Sequence, residues 1–134
     1  MTTPPAPVGP GAARGSSTGL DSALASALAY LAWWLTGLLF LAIERRDRVV
    51  RFHAAQAVVV FGALSLLMAC TYGAAVALLV VGFASSAARL FFIATNLTWL
   101  AAAMLWAWLL WTAIRGEQWR VPGLGWLVDR LAAR

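Results

Sequence analysis

His53 and Gln56 are three residues apart, which places them on one face of a helix together with Val49 and Val60. Arg51 and Phe52 directly precede them. A guanidinium, an imidazole and an amide at the foot of an apolar run form a polar recognition patch of Arg51, Phe52, His53 and Gln56, in which His53 would respond to pH near neutrality. An inert reading fits the same spacing and is preferred: His53 as an interfacial aromatic, hydrogen-bonded to the preceding loop. Just upstream, Arg45, Arg46 and Arg48 offer contacts to lipid headgroups or to a partner. Ser65, Ala69, Gly73 and Ala77 recur every four residues and draw a small-residue face along which helices can pack closely in lipid. Asn96 adds a side chain able to hydrogen-bond a neighbouring helix. No catalytic, cofactor or metal site is expected. One histidine and one cysteine, with no carboxylate inside the apolar runs, do not assemble a nucleophile–base pair or a ligand set. Cys70, within an apolar run, reads as a small hydrophobe.

The elements that position these residues follow from charge. Ser22 to Ile43 carries no charged residue, Glu44 to Arg51 is dense with charge, and the next arginine or carboxylate is Arg89. A polar loop between uncharged runs of that length connects two membrane-spanning helices. The sequence predicts an all-α membrane protein with spans at about 22–43, 57–81 and 90–114. Asp21 caps the first span, which carries Tyr30, Trp33 and Trp34 near its middle as packing residues. The run from Phe52 to Ala88 is too long for one perpendicular crossing, so its first turns are read as interfacial and 82–86 as a turn. Residues 1–21, rich in Pro, Gly and Ser, are expected to be a disordered tail. Residues 115–134 form a cytoplasmic tail in which Leu124, Leu127, Val128 and Leu131 share one face of a short amphipathic helix lying in the headgroup plane.

The totals agree with this class. Of 134 residues, 63% are hydrophobic and only 11% charged, well below the quarter or so that a soluble domain carries. The net charge of +5 comes from ten arginines and five carboxylates, and the arginines sit at the ends of apolar runs. They are read as membrane-edge residues and not as a nucleic-acid surface. Orientation follows from the same asymmetry. The central loop and the C-terminal tail hold four arginines each, against Arg14 and Arg89 elsewhere. Two crossings between the rich segments put both in the cytoplasm of a prokaryotic plasma membrane, with three spans and the N-terminus outside. A four-helix variant that splits 52–88 into a hairpin remains open.

Leu28-Ala29-Tyr30-Leu31, Trp34-Leu35-Thr36-Gly37, Phe40-Leu41, Glu44 and Val50-Arg51-Phe52-His53-Ala54-Ala55-Gln56, with Gly116-Glu117, Pro122 and Gly125 towards the end, resemble a family of small prokaryotic membrane proteins of unknown function. That family is related to the Tic-twenty component of the chloroplast import machinery, and the resemblance covers Gly19 to about Trp126. It implies a setting in protein translocation or membrane organisation, and it brings no catalytic residues with it.

The function expected is that of a non-enzymatic integral membrane protein working through helix–helix and protein–partner contacts. Its expected partners are the bilayer and either a second copy or another membrane protein, with no nucleic acid and no cofactor. The alternative is a small oligomeric transporter or channel subunit. Against that stands the absence of a charged residue in mid-span, where ion pathways place one.

Overall fold

The computed structural model describes residues 16–81 and 85–133. Among these residues are five helices and no strand: α1 (Ser22–Leu28), α2 (Trp33–Ile43), α3 (Arg48–Val80), α4 (Ser85–Ile114) and α5 (Gly125–Ala132). Asp21 starts α1, its carboxylate accepting from the Ala23 amide at 3.1 Å. Asp47 starts α3 by accepting from the amides of Val49 at 2.8 Å and Val50 at 3.4 Å. It also accepts from the Ser22 hydroxyl. One carboxylate therefore ties the beginning of α1 to the beginning of α3.

The unbroken first span expected over 22–43 does not form. Helix stops at Leu28 and resumes at Trp33, whose φ of 63° lies in the left-handed region that a bulky side chain rarely adopts. Side chains satisfy the backbone groups that the break frees. The Ala32 amide donates to Thr36 Oγ1 at 3.1 Å, and the Thr36 hydroxyl donates to the Ala29 carbonyl at 3.0 Å. Trp106 Nε1 donates to the Tyr30 carbonyl at 2.8 Å. An opened helix at membrane depth needs such partners, because hydrocarbon supplies none. Trp33 is itself pinned: its Nε1 donates to Ser65 Oγ at 3.1 Å, and its ring lies 4.5 Å from Phe61 and 5.7 Å from Trp99.

The break reverses the chain. Ser22 meets Asp47 and Tyr30 meets His53 and Gln56, so α1 runs alongside α3 in the same direction. Trp33 then meets Ser65, Gly37 meets Ala54, and Arg51 reaches the Leu41 carbonyl, so α2 returns antiparallel to α3. The pair enters and leaves at one end of the molecule. Residues 16–20, placed by the sequence in a disordered tail, are seated at that end by hydrogen bonds from Ser17 to Glu44. The rest of that tail, residues 1–15, lies outside the described residues.

Three crossings are expected from the sequence, and two helices are long and apolar enough to make one. α3 and α4, of 33 and 30 residues, reach about 50 and 45 Å at 1.5 Å per residue. The 11 residues of α2 reach only about 16 Å, against roughly 30 Å of hydrocarbon. α3 begins at Arg48, so the turns ahead of the expected span at 57 are helical too. α4 begins at Ser85, inside the expected turn; 82–84 lie outside the described residues. The two long helices pack against each other, Met68 and Ala75 of one and Ala88 and Ala102 of the other are buried, and Thr95 donates to Thr71 Oγ1 between them at 2.7 Å.

Gly116, at φ 72°, ends α4 in a Schellman arrangement: its amide bonds to the Ala113 carbonyl and the Glu117 amide to the Thr112 carbonyl, each at 3.0 Å. The chain returns towards α3, and α5 packs buried Val128 against Phe52 and Ala55. The expected interfacial helix is thus docked on protein along part of its apolar face, while Trp126 remains exposed. A second apolar cluster joins Tyr30, Ala57, Phe61, Leu109 and Ala113.

Gly37 lets α2 lie directly on α3. A Cβ there would stand 2.8 Å from the Ala54 carbonyl oxygen and 3.0 Å from Ala57 Cβ, whereas one on Gly73 would meet nothing within 4 Å. Gly37→Ala is therefore expected to destabilise by about 1–3 kcal/mol through overpacking. Gly73→Ala should be neutral or stabilise by about 0.5–1 kcal/mol through helix propensity. Thermal melts of both variants in one detergent check this, and equal melting temperatures would contradict the close α2–α3 contact.

Candidate functional site

The chain's polar chemistry gathers at the end where α1 begins, α2 ends and α5 docks. Glu44 is fully enclosed. Its carboxylate accepts from the Ser17 amide at 2.7 and 3.0 Å, the Ser17 hydroxyl at 2.7 Å, the Arg46 amide at 2.9 Å and the Asp47 amide at 3.0 Å. Burial alone would oppose its ionisation. The amides of Asp47, Ser17 and Arg46, with the Ser17 hydroxyl, outweigh that and hold the carboxyl down to about 2.

Arg51 is spent on carbonyls. Its Nη1 donates to the Glu44 carbonyl at 2.6 Å and the Leu41 carbonyl at 3.3 Å, and its Nε donates to the Ala132 carbonyl at 2.9 Å. A cation there complements the negative ends of α2 and α5 at once. Phe52 points into the α5 contact, with the Arg120 guanidinium 5.7 Å from its ring centre. His53 and Gln56 turn towards α1. The Tyr30 hydroxyl donates to Gln56 Oε1 at 3.4 Å and lies 3.2 Å from His53 Nδ1. With that proton given to Gln56, His53 donates from Nδ1, and its enclosed Nε2 has no hydrogen-bond partner among the described residues. Gln56 Nε2 donates onward to the Trp119 carbonyl at 3.1 Å, which fastens the segment before α5.

The structure thus divides the expected recognition patch. Phe52, His53 and Gln56 are buried and Arg51 half-buried. They are occupied in joining α1, α2 and α5 to α3, so no outward recognition surface forms from them. Arg45, Arg46 and Arg48 are exposed. With Arg51 and Arg120 they line a cleft of about 1060 Å³ in which Asp129 is the single lining carboxylate among the described residues, paired to Arg120 at 3.2 Å. Leu41, Phe52 and Leu131 give this cleft an apolar side.

Of the expected packing residues, Ser65 receives the Trp33 indole, whereas Ala69, Gly73 and Ala77 face outward. Asn96 is also exposed and donates to the Phe92 carbonyl one turn back on its own helix. The polar contact between long helices is made by Thr95 and Thr71. Sequence reasoning missed the roles of Glu44, Ser17, Tyr30 and Arg120. Glu44 did carry a signal, as the first carboxylate after an uncharged run of 22 residues and the residue at which that run must stop.

Two UPF0132 membrane proteins of Methanocaldococcus jannaschii are each 32% identical to this chain. One matches over 112 residues, 84% of the chain and 71% of the relative. The other matches over 110 residues, 82% of the chain and 87% of the relative. No family model and no solved structure matches.

Glu44 makes stability depend on acid in a defined direction. Its folded pKa of about 2 is below the ordinary 4.5, so its contribution is complete above pH 4.5 and is lost as pH falls through about 2. Glu44→Gln should cost about 1–3 kcal/mol at neutral pH, because an amide NH2 then faces buried donors. It should also flatten the decline in melting temperature below pH 4.5. Tryptophan-fluorescence melts from pH 7 to pH 3 read both effects, and an unchanged acid slope in the variant would assign the decline to other groups.

Proposed function

The chain belongs to the UPF0132 membrane protein family, and we propose that it works there as a non-enzymatic scaffold, through lateral helix contacts and an arginine-rich face. One observation carries this reading. The segment before α1, the end of α2 and the end of α5 gather around Glu44 and Arg51 at one end, while α3 and α4 present apolar outer faces along their length. The chain's single histidine is enclosed against Tyr30, which speaks against its serving as a base for a substrate.

In this reading α3 and α4 cross the bilayer, and α1 and α2 form a re-entrant pair that enters from the arginine side and returns to it. Both described termini then share that side. Positive-inside bias makes it the cytoplasmic face of the plasma membrane, in place of the outside N-terminus expected when 22–43 is a span. Cysteines placed by Thr18→Cys and Trp126→Cys, in a Cys70→Ala background, should react with an impermeant maleimide from the same side, and Val81→Cys from the other. Reaction of Thr18→Cys from the side of Val81→Cys would restore the three-span topology.

Outward-facing Ala69, Gly73 and Ala77 are the surface offered to a second copy or to another membrane protein, since small residues let helices approach closely. The Tic-twenty resemblance makes translocation and membrane organisation the settings in which to look for that partner. Cross-linking in intact cells, then purification and mass spectrometry, should recover a defined oligomer or a stoichiometric partner. Gly73→Leu should reduce that recovery several-fold without lowering the melting temperature. Recovery of monomer alone from wild-type cells would remove the scaffold reading. Transport is the second reading, favoured by the enclosed Tyr30–His53–Gln56 cluster, and specific uptake into liposomes abolished by His53→Ala would place it first.

A further inference from the structure

We propose that the cleft bounded by the end of α2, the start of α3 and α5 binds the headgroup of an anionic phospholipid, held by Arg45, Arg46 and Arg48. The proposal rests on the scaffold reading only in that it needs this end of the molecule at the membrane surface.

Charge is the first ground. Five arginines line the cleft with one aspartate, and that aspartate is paired with Arg120. Arg51 is engaged with the carbonyls of Leu41, Glu44 and Ala132, so it sets the walls and is not free to grip a ligand. Arg45, Arg46 and Arg48 are exposed, and none is paired with a carboxylate among the described residues. The carboxylates nearest in sequence are already committed: Glu44 to amides and the Ser17 hydroxyl, Asp47 to the cap of α3 and Ser22. Three guanidiniums thus line a cleft whose one carboxylate among the described residues is already paired with Arg120, and their planar donors match a phosphate oxygen pair.

Shape is the second. The cleft volume of about 1060 Å³ is at the upper end of what small-molecule sites enclose, enough for a glycerophosphate headgroup. Its other side is apolar, formed by Leu41, Phe52 and Leu131. Next to it α2 exposes Leu38, Leu39 and Ile43, so acyl chains leaving the cleft meet an apolar helix face. An inorganic phosphate would use the arginines and leave the apolar side idle. Basic pockets beside membrane helices on the cytoplasmic side select anionic headgroups by this combination.

The experiment uses the full chain in a neutral detergent, titrated with dihexanoyl-phosphatidylglycerol, dihexanoyl-phosphatidylcholine or inorganic phosphate and read by native mass spectrometry and tryptophan fluorescence. Saturable binding of the phosphatidylglycerol is expected, with the phosphatidylcholine at least tenfold weaker and no competition from millimolar phosphate. The triple variant Arg45→Gln, Arg46→Gln, Arg48→Gln should bind about a hundredfold more weakly, at about fivefold per arginine. Arg89→Gln, on α4 at the far end, should bind as wild type. Asp129→Asn, which removes the lining carboxylate, should bind more tightly and serves as the test if the triple variant fails to fold. Equal binding of both lipids, or Asp129→Asn binding no better than wild type, would overturn the proposal. Displacement by inorganic phosphate would replace the lipid with a soluble anion. Loss of lipid selectivity with partner recovery intact would count against this cleft alone and leave the scaffold reading standing.

Discussion

A carboxylate enclosed by protein, with no cation among the described residues on its oxygens, sits where four segments of this chain meet. Glu44 is stable as an anion because three amides and a hydroxyl point at it, much as a bound anion is held in a nest of backbone donors. Its own carbonyl then receives Arg51, which also takes the last turn of α5. One residue thereby holds the segment before α1 through its side chain and the C-terminal helix through its main chain. Remove the anion and the Ser17, Arg46 and Asp47 amides lose their acceptor together. The ends of α1, α2 and α5 are coupled through this point, which is why contacts so far apart in sequence depend on one another.

The apolar runs, the loop between them and the cap at Asp21 were legible from composition and charge, because lipid demands long uncharged helices and allows few exceptions. The break at residues 29–32 was not. Ser22 to Ile43 has the length and hydropathy of a crossing, and no proline or glycine marks the interruption. What decides it lies elsewhere in the chain: Trp106 supplies a donor to the Tyr30 carbonyl, Ser65 accepts from the Trp33 indole, and Gly37 allows the returning helix to approach. Each is a contact across tens of residues, invisible to any local window.

The site shows the same division. Arg45, Arg46 and Arg48 could be placed at a surface from sequence because charge without a buried partner belongs in water. The cluster from Arg51 to Gln56 offered a recognition patch beside the preferred inert reading, since its residue types are those of binding sites. Those side chains are instead engaged internally, by helix-end carbonyls, Tyr30 and Trp119, with His53 Nε2 alone among them left without a partner among the described residues. Polar groups at the foot of a membrane helix must find acceptors somewhere, and here the chain supplies them itself.

The short pair of α1 and α2 also gives the molecule an uneven girth. At the arginine end α1, α2 and α5 pack against α3, and past the level of Trp33 α3 and α4 are the helices that continue among the described residues. In the proposed orientation such a body takes up more area in one leaflet than in the other, as a wedge does. A flat bilayer must relax around it, and a bilayer already bent towards the narrow side need not.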